Sequence, residues 1–213
     1  MIRLLLADDH ALVRDGLMRI LAAASDIEVA GEAANGDETL ALVRRHDFDL
    51  ALIDLSMPGL SGLDLIKRLK LEKPKLRILV LSMHGESQYA ARALKAGASG
   101  YLTKDSAAAQ LLGAIRKVAG GGVHITEAAA TQLLNAGGAA GDAPQHTLLS
   151  DREFEVFRRL VGGRSITEIA EGLHVSVKTI STHKARILEK MGMASTAELV
   201  RYAVEHRLLD DQA

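Results

Sequence analysis

The sequence of 213 residues contains no cysteine. This absence excludes a disulfide framework, a thiolate metal site and a cysteine nucleophile. No apolar run approaches the ~20 residues that span a bilayer. The first residues lack the basic start, longer apolar core and cleavage site of a signal peptide. We therefore expect a cytoplasmic protein with no membrane partner.

Neither sign of charge dominates, because 26 Lys+Arg and 27 Asp+Glu leave a formal net charge of −1. With 48% hydrophobic and 25% charged residues, the composition is near the average of globular proteins and argues against wholesale disorder. This length suits one large domain or two modest ones. A neutral total can hide a local basic face, so it does not exclude a nucleic-acid partner.

The first 120 or so residues alternate short apolar runs with longer amphipathic stretches, which is typical of a parallel sheet flanked by helices. Five βα units are predicted on this pattern. The predicted strands are Ile2–Ala7, Glu28–Ala30, Leu50–Ile53, Arg77–Leu81 and Gly100–Leu102. The predicted helices are Ala11–Ala24, Asp37–Arg45, Leu63–Leu71, Ser87–Ala96 and Ala107–Val118.

The rest of the chain, beyond residue 120, has a different pattern. We predict a linker over 121–147, with one helix at Ile125–Asn135 and a flexible Ala- and Gly-rich tether at Ala136–Gln145. Residues 148–213 carry no strand signal and are predicted to form a separate all-α unit of four short helices. The predicted N-caps of these helices include Ser150, Ser176 and Ser195. Ser150 forms a predicted capping box with Glu153.

Polar side chains follow the predicted strands at the edge where an open α/β sheet binds its ligands. Asp8 and Asp9 end the first strand and Asp54 the third, so three carboxylates converge. Carboxylates without Cys or His ligands beside them suit Mg²⁺. Ser82 can donate a hydrogen bond to an anion, and Lys104 supplies a compact positive charge. The set describes a place where a phosphoryl group is received.

Residues 2–119 resemble a receiver domain of a bacterial two-component response regulator. This resemblance implies a flavodoxin-like fold with a five-stranded parallel sheet, and a sensor histidine kinase as partner. The residues that carry it are Asp8-Asp9, Asp54 with Met57-Pro58-Gly59 and Gly62, Ser82, Tyr101 and Lys104.

The same resemblance implies a role for each residue. Asp54 is the phosphorylated residue, and Mg²⁺ is held by Asp8, Asp9, Asp54 and the main-chain carbonyl of Ser56. Ser82 and Lys104 grip the phosphoryl oxygens, and Tyr101 is the switch aromatic. Receivers usually carry proline after the lysine, whereas here Asp105 follows Lys104, which leaves the isomer of that peptide bond undecided.

The all-α unit contains a helix-turn-helix pattern, in which a short helix, a turn and a second helix with a polar and basic start follow one another. Residues 148–208 resemble the LuxR-type domain of the NarL/FixJ family through Leu149-Ser150-x-Arg152-Glu153, Thr167-x-x-Ile169-Ala170 and Val177-Lys178-Thr179-Ile180-x-x-His183. The segment 174–190 carries Lys178, Lys184, Arg186 and Lys190 against Glu189 alone, a net charge of +3.

We predict that Ile180, Ile187 and Met191 face the core of this unit. The predicted DNA contacts on the opposite face are Lys178, Thr179, Ser181, Thr182, Lys184, Ala185 and Arg186. Of these, Ser181, Thr182 and Ala185 are predicted to face the groove. None of the three is Arg, Lys, Asn or Gln, which make the strong base contacts, so affinity is expected to come from two modules together. The family resemblance places the contact between DNA-bound subunits on the last helix, at Leu199, Val200 and Ala203.

These features predict a response regulator that a sensor histidine kinase phosphorylates on Asp54 and that then binds double-stranded promoter DNA as a homodimer. Catalysis would be limited to accepting and losing the phosphoryl group, so an enzyme is not expected. A metal-dependent phosphatase or phosphotransferase is an alternative, against which the helix-turn-helix half argues. A flavodoxin-like nucleotide binder is another, but Asp8-Asp9-His10 stands where a glycine-rich phosphate loop is needed.

Overall fold

The computed structural model describes residues 1–57, 60, 62–82, 87–126, 129–131, 144–206 and 208. Its contacts divide the chain into two compact units, Met1–Leu134 and Asn135–Ala213. Among the described residues, no helix combines the length and the apolar character that crossing a bilayer requires.

The N-terminal unit is a five-stranded parallel sheet in the order β2-β1-β3-β4-β5, flanked by helices, as predicted. The strands are β1 (Ile2–Ala7), β2 (Ile27–Ala33), β3 (Leu50–Asp54), β4 (Arg77–Ser82) and β5 (Gly100–Thr103). The helices are α1 (Ala11–Ala22), α2 (Gly36–Arg45), α3 (Gly62–Glu72), α4 (Ser87–Lys95) and α5 (Lys104–Ala119).

The core of this unit explains the near-continuous apolar strands of the sequence. β1, β3 and β4 lie inside the sheet, and all five residues of β3 are buried. Strands covered on both faces need apolar residues at successive positions rather than at alternate ones. One of the two faces packs on α1 and α5 through a cluster of apolar side chains that includes Leu4, Leu52, Leu21 and Ile115.

The chain beyond α5 returns to the open edge of the sheet. The amide of Tyr101 donates to the carbonyl oxygen of His124 at 2.7 Å, and the amide of His124 donates to that of Ser99 at 3.3 Å. Gly100 and His124 form a parallel bridge. The beginning of the predicted linker therefore pairs with β5 and belongs to the N-terminal unit.

Several predictions lie outside the described residues: Pro58-Gly59 of the receiver motif, most of the linker helix Ile125–Asn135, and residues 136–143 of the tether. Residues 129–131 are helical. The domain boundaries at 120 and 148 stay predictions.

The C-terminal unit begins with a short 3-10 helix, Gln145–Leu148. Four α-helices follow, as predicted, and each begins behind a serine whose side chain accepts from the amide three residues on. They are α6 (Asp151–Val161), α7 (Ile166–Gly172), α8 (Val177–Met191) and α9 (Thr196–Glu205). Phe154 and Phe157 of α6 are fully buried and stack at 6.0 Å between ring centroids.

We expect Gly36→Ala to destabilise the N-terminal unit by about 1–3 kcal/mol, because a Cβ at Gly36 would lie 1.5 Å from the carbonyl oxygen of Leu60. Gly113→Ala is the matched control, since nothing lies within 4 Å of a Cβ at this helical position. It should stabilise the protein by about 0.5–1 kcal/mol through helix propensity. Urea unfolding followed by circular dichroism measures both, and equal effects would contradict the close approach at Gly36.

Candidate functional site

The predicted acidic residues meet at the carboxyl edge of the sheet, where β1 and β3 are neighbours. Ala7 pairs with Ile53 in the β1–β3 ladder, so that Asp8 and Asp54 follow side by side. Strand order reverses between β1 and β3, and such a switch point opens a crevice above the sheet. The crevice is therefore lined by two carboxylates that are 46 residues apart in the chain.

Both carboxylates are removed from water and fixed by their own backbone. Asp8 is 0% exposed and Asp54 is 1% exposed. Asp8 Oδ1 accepts from the amide of His10 at 2.8 Å, and Asp54 Oδ1 accepts from the amide of Ser56 at 3.0 Å. Each aspartate thus closes a turn onto the amide two residues on, a bond for which its short side chain is suited.

Lys104 joins the two aspartates. Its Nζ donates to Asp8 Oδ2 at 2.7 Å and to Asp54 Oδ2 at 2.8 Å. Lys104 is the first residue of α5, where the helix dipole disfavours a cation, and Asp105 beside it supplies the opposite charge. The Lys104–Asp105 peptide bond, which the sequence left undecided, is trans like every peptide bond that the structure describes.

Burial and the contacts of Lys104 together set the direction of two pKa shifts in the crevice. Burial raises the pKa of the Asp54 carboxyl, and the hydrogen bond from Lys104 offsets only part of this effect. Burial also works against the Lys104 cation, but its bonds to Asp54 and Asp8 outweigh burial and raise the pKa of the ammonium group. Both shifts agree with one cation facing two carboxylates, an arrangement that retains surplus negative charge.

Asp9 completes a cluster that can hold a cation. One ligand atom from each of Asp8, Asp9, His10 and Asp54 lies within 4.8 Å of the others. Asp9 Oδ1 is buried and has no hydrogen-bond partner among the described residues. His10 Nδ1 lies 2.9 Å from this oxygen, but without the geometry of a hydrogen bond. A buried carboxylate oxygen left without a donor fits the oxygen ligands that Mg²⁺ requires.

The two remaining predicted site residues lie on the neighbouring strands. Ser82 is 0% exposed and ends β4, where it is paired with Thr103, the residue before Lys104. Tyr101 is buried in β5, and its amide is bonded to His124. The structure thus places both on the strands that lead into the crevice. Their roles as phosphate donor and switch stay predictions.

In the C-terminal unit, α7, a short turn and α8 form the predicted helix-turn-helix. The turn contains His174 in a left-handed conformation, with a φ of 51°. Ile180, Ile187 and Met191 of α8 are buried, which confirms the predicted core face. Ser181, Thr182 and Ala185 are exposed on the same helix. This helix therefore offers one of its faces to solvent.

The basic residues of α8 separate into two groups. Lys190 Nζ donates to Glu153 Oε2 at 2.6 Å, and Glu153 is buried. Lys178, Lys184 and Arg186 have no ion-pair partner within the part of the chain that the structure describes. Three of the four basic residues in the segment 174–190 are thus available to a ligand, and the fourth, Lys190, stabilises the unit.

Three hydroxyl groups near the start of α8 are bonded within the unit. Ser181 Oγ donates to the carbonyl oxygen of Val177 at 2.9 Å, and Thr182 Oγ1 donates to that of Lys178 at 3.0 Å. Thr179 Oγ1 lies 2.8 Å from the oxygen of Ser176, the N-cap. The exposed oxygens of Ser181 and Thr182 keep lone pairs with which to accept.

Two protein families match the chain, one within each of its two compact units. Residues 4–116 match the response regulator receiver domain, and residues 147–203 match the bacterial regulatory proteins of the luxR family. The chain belongs to the response regulators. Within that family it is a transcription regulator that joins a receiver to a LuxR-type DNA-binding domain.

Relatives of this response regulator match it over nearly its whole length. The oxygen regulatory protein NreC of Staphylococcus carnosus is 38% identical over 98% of this chain and 99% of its own. The RcsB response regulator of Salmonella typhimurium has a TM-score of 0.73 at 28% identity, covering 96% of this chain and 97% of its own. A complex of RcsB with DNA has a TM-score of 0.59 at 29% identity, covering 95% and 98%.

The predicted subunit contact on α9 of this response regulator needs a correction. Leu199 and Ala203 are both 0% exposed within the C-terminal unit, so they have no surface to offer a second subunit. Val200 is partly exposed, and Val204 is 59% exposed. An apolar pair four residues apart looks the same whether it faces a core or an interface, and here it faces the core.

Sequence reasoning missed three features of this response regulator. His10 belongs to the cation cluster, and its place directly after Asp8-Asp9 was the available signal. Ser165 caps α7 in a capping box with Glu168, and the Ser-x-x-Glu spacing was the available signal. The bond between Glu153 and Lys190 had no signal, because it joins residues 37 apart on different helices.

We expect Lys104→Met to destabilise the response regulator by about 3 kcal/mol, because the two buried carboxylates lose their cation. The raised pKa of Asp54 should rise further. A carboxyl whose folded-state pKa is raised stabilises the fold below its unfolded pKa, about 4, and loses this contribution as pH rises through the folded pKa.

Acidification from about pH 7 to pH 5 should therefore restore part of the stability that Lys104→Met removes. Urea unfolding at both pH values measures this. Lys95→Met, at an exposed position of α4, is the control and should leave the pH dependence unchanged. A destabilisation by Lys104→Met that does not shrink on acidification would contradict this balance of charge in the crevice.

Proposed function

We propose that Asp54 of this response regulator accepts a phosphoryl group from a sensor histidine kinase, and that the phosphorylated protein regulates transcription by binding promoter DNA as a dimer. The observation that carries the proposal is the pair of hydrogen bonds from Lys104 to Asp8 and Asp54 at the switch point of the sheet. This arrangement leaves a buried carboxylate beside a cation that is able to move to a new anion.

The chemistry proposed for Asp54 is the attack of one carboxylate oxygen on phosphorus as the bond to the kinase histidine breaks. Lys104 favours the charged form of Asp54 through its hydrogen bond and becomes a donor to the phosphoryl oxygens. Ser82, buried at the end of β4, supplies a second donor. Positioning and charge neutralisation supply most of the catalysis in such a transfer, so no turnover of external substrates is proposed.

We assign Mg²⁺ to Asp8, Asp9 and Asp54, together with the main-chain carbonyl of Ser56. When bound, Mg²⁺ would neutralise the carboxylates and the developing charge on the phosphoryl oxygens. Asp9 Oδ1, which is buried and accepts no hydrogen bond among the described residues, supports this assignment. The phosphoryl group adds about −1.5 to −2 charges to the crevice, and Lys104, Ser82 and Tyr101 are proposed to respond to that charge.

We expect acetyl phosphate with Mg²⁺ to phosphorylate the wild-type protein and not Asp54→Asn, since the amide cannot form the acyl phosphate. Intact-mass spectrometry detects the alkali-labile product. Asp64→Asn, at a half-exposed residue of α3, is the matched control and should be phosphorylated normally. Equal labelling of Asp54→Asn would place the phosphoryl group on another residue.

For DNA binding, we propose that Lys178, Lys184 and Arg186 contact phosphates, while the Thr179 hydroxyl stays 2.8 Å from that of Ser176, the N-cap of α8. The RcsB–DNA complex supports a DNA-binding role for this fold. The N-terminus of α8 adds a partial positive charge on the same side. A promoter-binding role implies a cytoplasmic location with the chromosome.

Base reading is assigned to Ser181, Thr182 and Ala185, which are exposed and short. Because the Ser181 and Thr182 hydroxyls donate to their own helix, they would accept hydrogen bonds from base donors such as adenine N6 or cytosine N4. The Ala185 methyl group suits a thymine methyl. Such contacts are individually weak, so we propose that two subunits share the site through Val200 and Val204 of α9.

We expect Lys178→Ala and Arg186→Ala each to flatten the salt dependence of promoter binding, by about 0.9 in the slope of log K against log salt for each phosphate that the helix no longer neutralises. Thr182→Ala should weaken the sequence preference and leave the slope unchanged. Fluorescence-anisotropy titrations at several salt concentrations measure both quantities.

Lys75→Ala removes an equal charge from an exposed position in the N-terminal unit and serves as the control for these titrations. Its salt slope should equal that of the wild type. Unchanged slopes in both basic α8 variants would mean that this helix does not lie along phosphates.

A further inference from the structure

Arg14 contacts the acidic crevice and has no role in the function proposed above. It lies in the first turns of α1, and its Nη1 donates to the main-chain carbonyl oxygen of Asp8 at 2.6 Å. Its Nε lies 3.8 Å from Glu32 Oε2 of β2, and its side chain is 20% exposed. The guanidinium thus lies between the end of β1 and a carboxylate on the neighbouring strand.

This bond fixes the backbone from which Asp9 projects. The amide of Asp8 donates to the carbonyl oxygen of Ala33 at 3.1 Å, while its own carbonyl accepts from Arg14. Because the peptide unit is planar, fixing the Asp8 carbonyl also fixes the plane of the Asp9 amide. Asp9 Oδ1 has no hydrogen bond among the described residues, and His10 Nδ1, which lies 2.9 Å from it, belongs to the next residue of the same backbone. The backbone is therefore what orients this carboxylate.

We propose that Arg14 is a positioning residue for the divalent cation, one that holds the Asp8–Asp9 peptide so that Asp9 points at the ion. The inference rests on the proposed Mg²⁺ site. Mg²⁺ demands nearly ideal octahedral geometry, and it tolerates misplaced ligands poorly. Residues that orient metal ligands from outside typically contribute about 10–100-fold to metal affinity.

If Arg14 acted through its charge alone, its removal would change the Mg²⁺ affinity in the opposite direction. Arg14 is a cation close to an acidic cluster, and removing it would strengthen the attraction of the cluster for Mg²⁺. Loss of the bond to the Asp8 carbonyl would instead weaken binding, because Asp9 would lose its orientation. The direction of the change in affinity therefore distinguishes positioning from electrostatics.

The test is isothermal titration calorimetry of the full chain with Mg²⁺. Arg14→Gln should bind Mg²⁺ about 10-fold more weakly than the wild type. Arg19→Gln removes the same charge from an exposed position in the last turn of α1 and should match the wild type. An Arg14→Gln affinity equal to or above that of the wild type overturns the inference.

Asp9→Asn tests the metal site itself and should lose most of the Mg²⁺ affinity. If the wild type binds no Mg²⁺, or if Asp9→Asn binds as well as the wild type, the proposed metal site fails whatever Arg14 does. Should Arg14→Gln not fold, Arg14→Lys replaces it, since lysine keeps the charge without spanning Asp8 and Glu32. A weaker Mg²⁺ affinity in Arg14→Lys supports positioning, and a wild-type affinity overturns it.

Discussion

Two carboxylates held out of water beside one lysine are the arrangement on which the N-terminal unit depends. Buried charges are tolerated only when they are paired and hydrogen-bonded, and Asp8 and Asp54 satisfy this requirement through Lys104 and two backbone amides. The strand order that makes β1 and β3 neighbours brings these groups together. We expect a new anion in the crevice to disturb this balance of charge.

An effect of a new anion on Lys104 would extend beyond Asp54, because Asp8 and Asp54 share this lysine as a hydrogen-bond donor. Its two bonds join β1, β3 and the start of α5, three elements from distant parts of the chain. A phosphoryl group on Asp54 would compete for the same ammonium group. A charge change at one atom would then reach the strands that carry Ser82 and Tyr101. Under the proposed function, the crevice would connect a local chemical event to a larger part of the sheet.

The sheet and the acidic residues of the site were predictable, since apolar runs and the polar residues that end them are local properties of the sequence. The sequence also placed Lys104 in the same set, but not its direct hydrogen bonds to Asp8 and Asp54, which join residues 96 and 50 positions apart. The bond from Arg14 to the Asp8 carbonyl oxygen was not predictable either, because every residue has a main-chain carbonyl and the sequence does not mark the one that accepts. Leu199 was predicted at a subunit contact but is buried, because the spacing of apolar residues along a helix does not show whether they face the core or a partner.

The segment after α5 has a consequence for how the N-terminal unit behaves among other copies of itself. β5 is an edge strand, and edge strands present unpaired amides to which a foreign strand can add. His124 occupies the amide of Tyr101, and a Cβ at Gly100 would come within 3.0 Å of the His124 carbonyl oxygen. The first linker residues thus cover this edge, and a fragment cut at Gly120 would leave the Tyr101 amide open to pairing with a foreign strand.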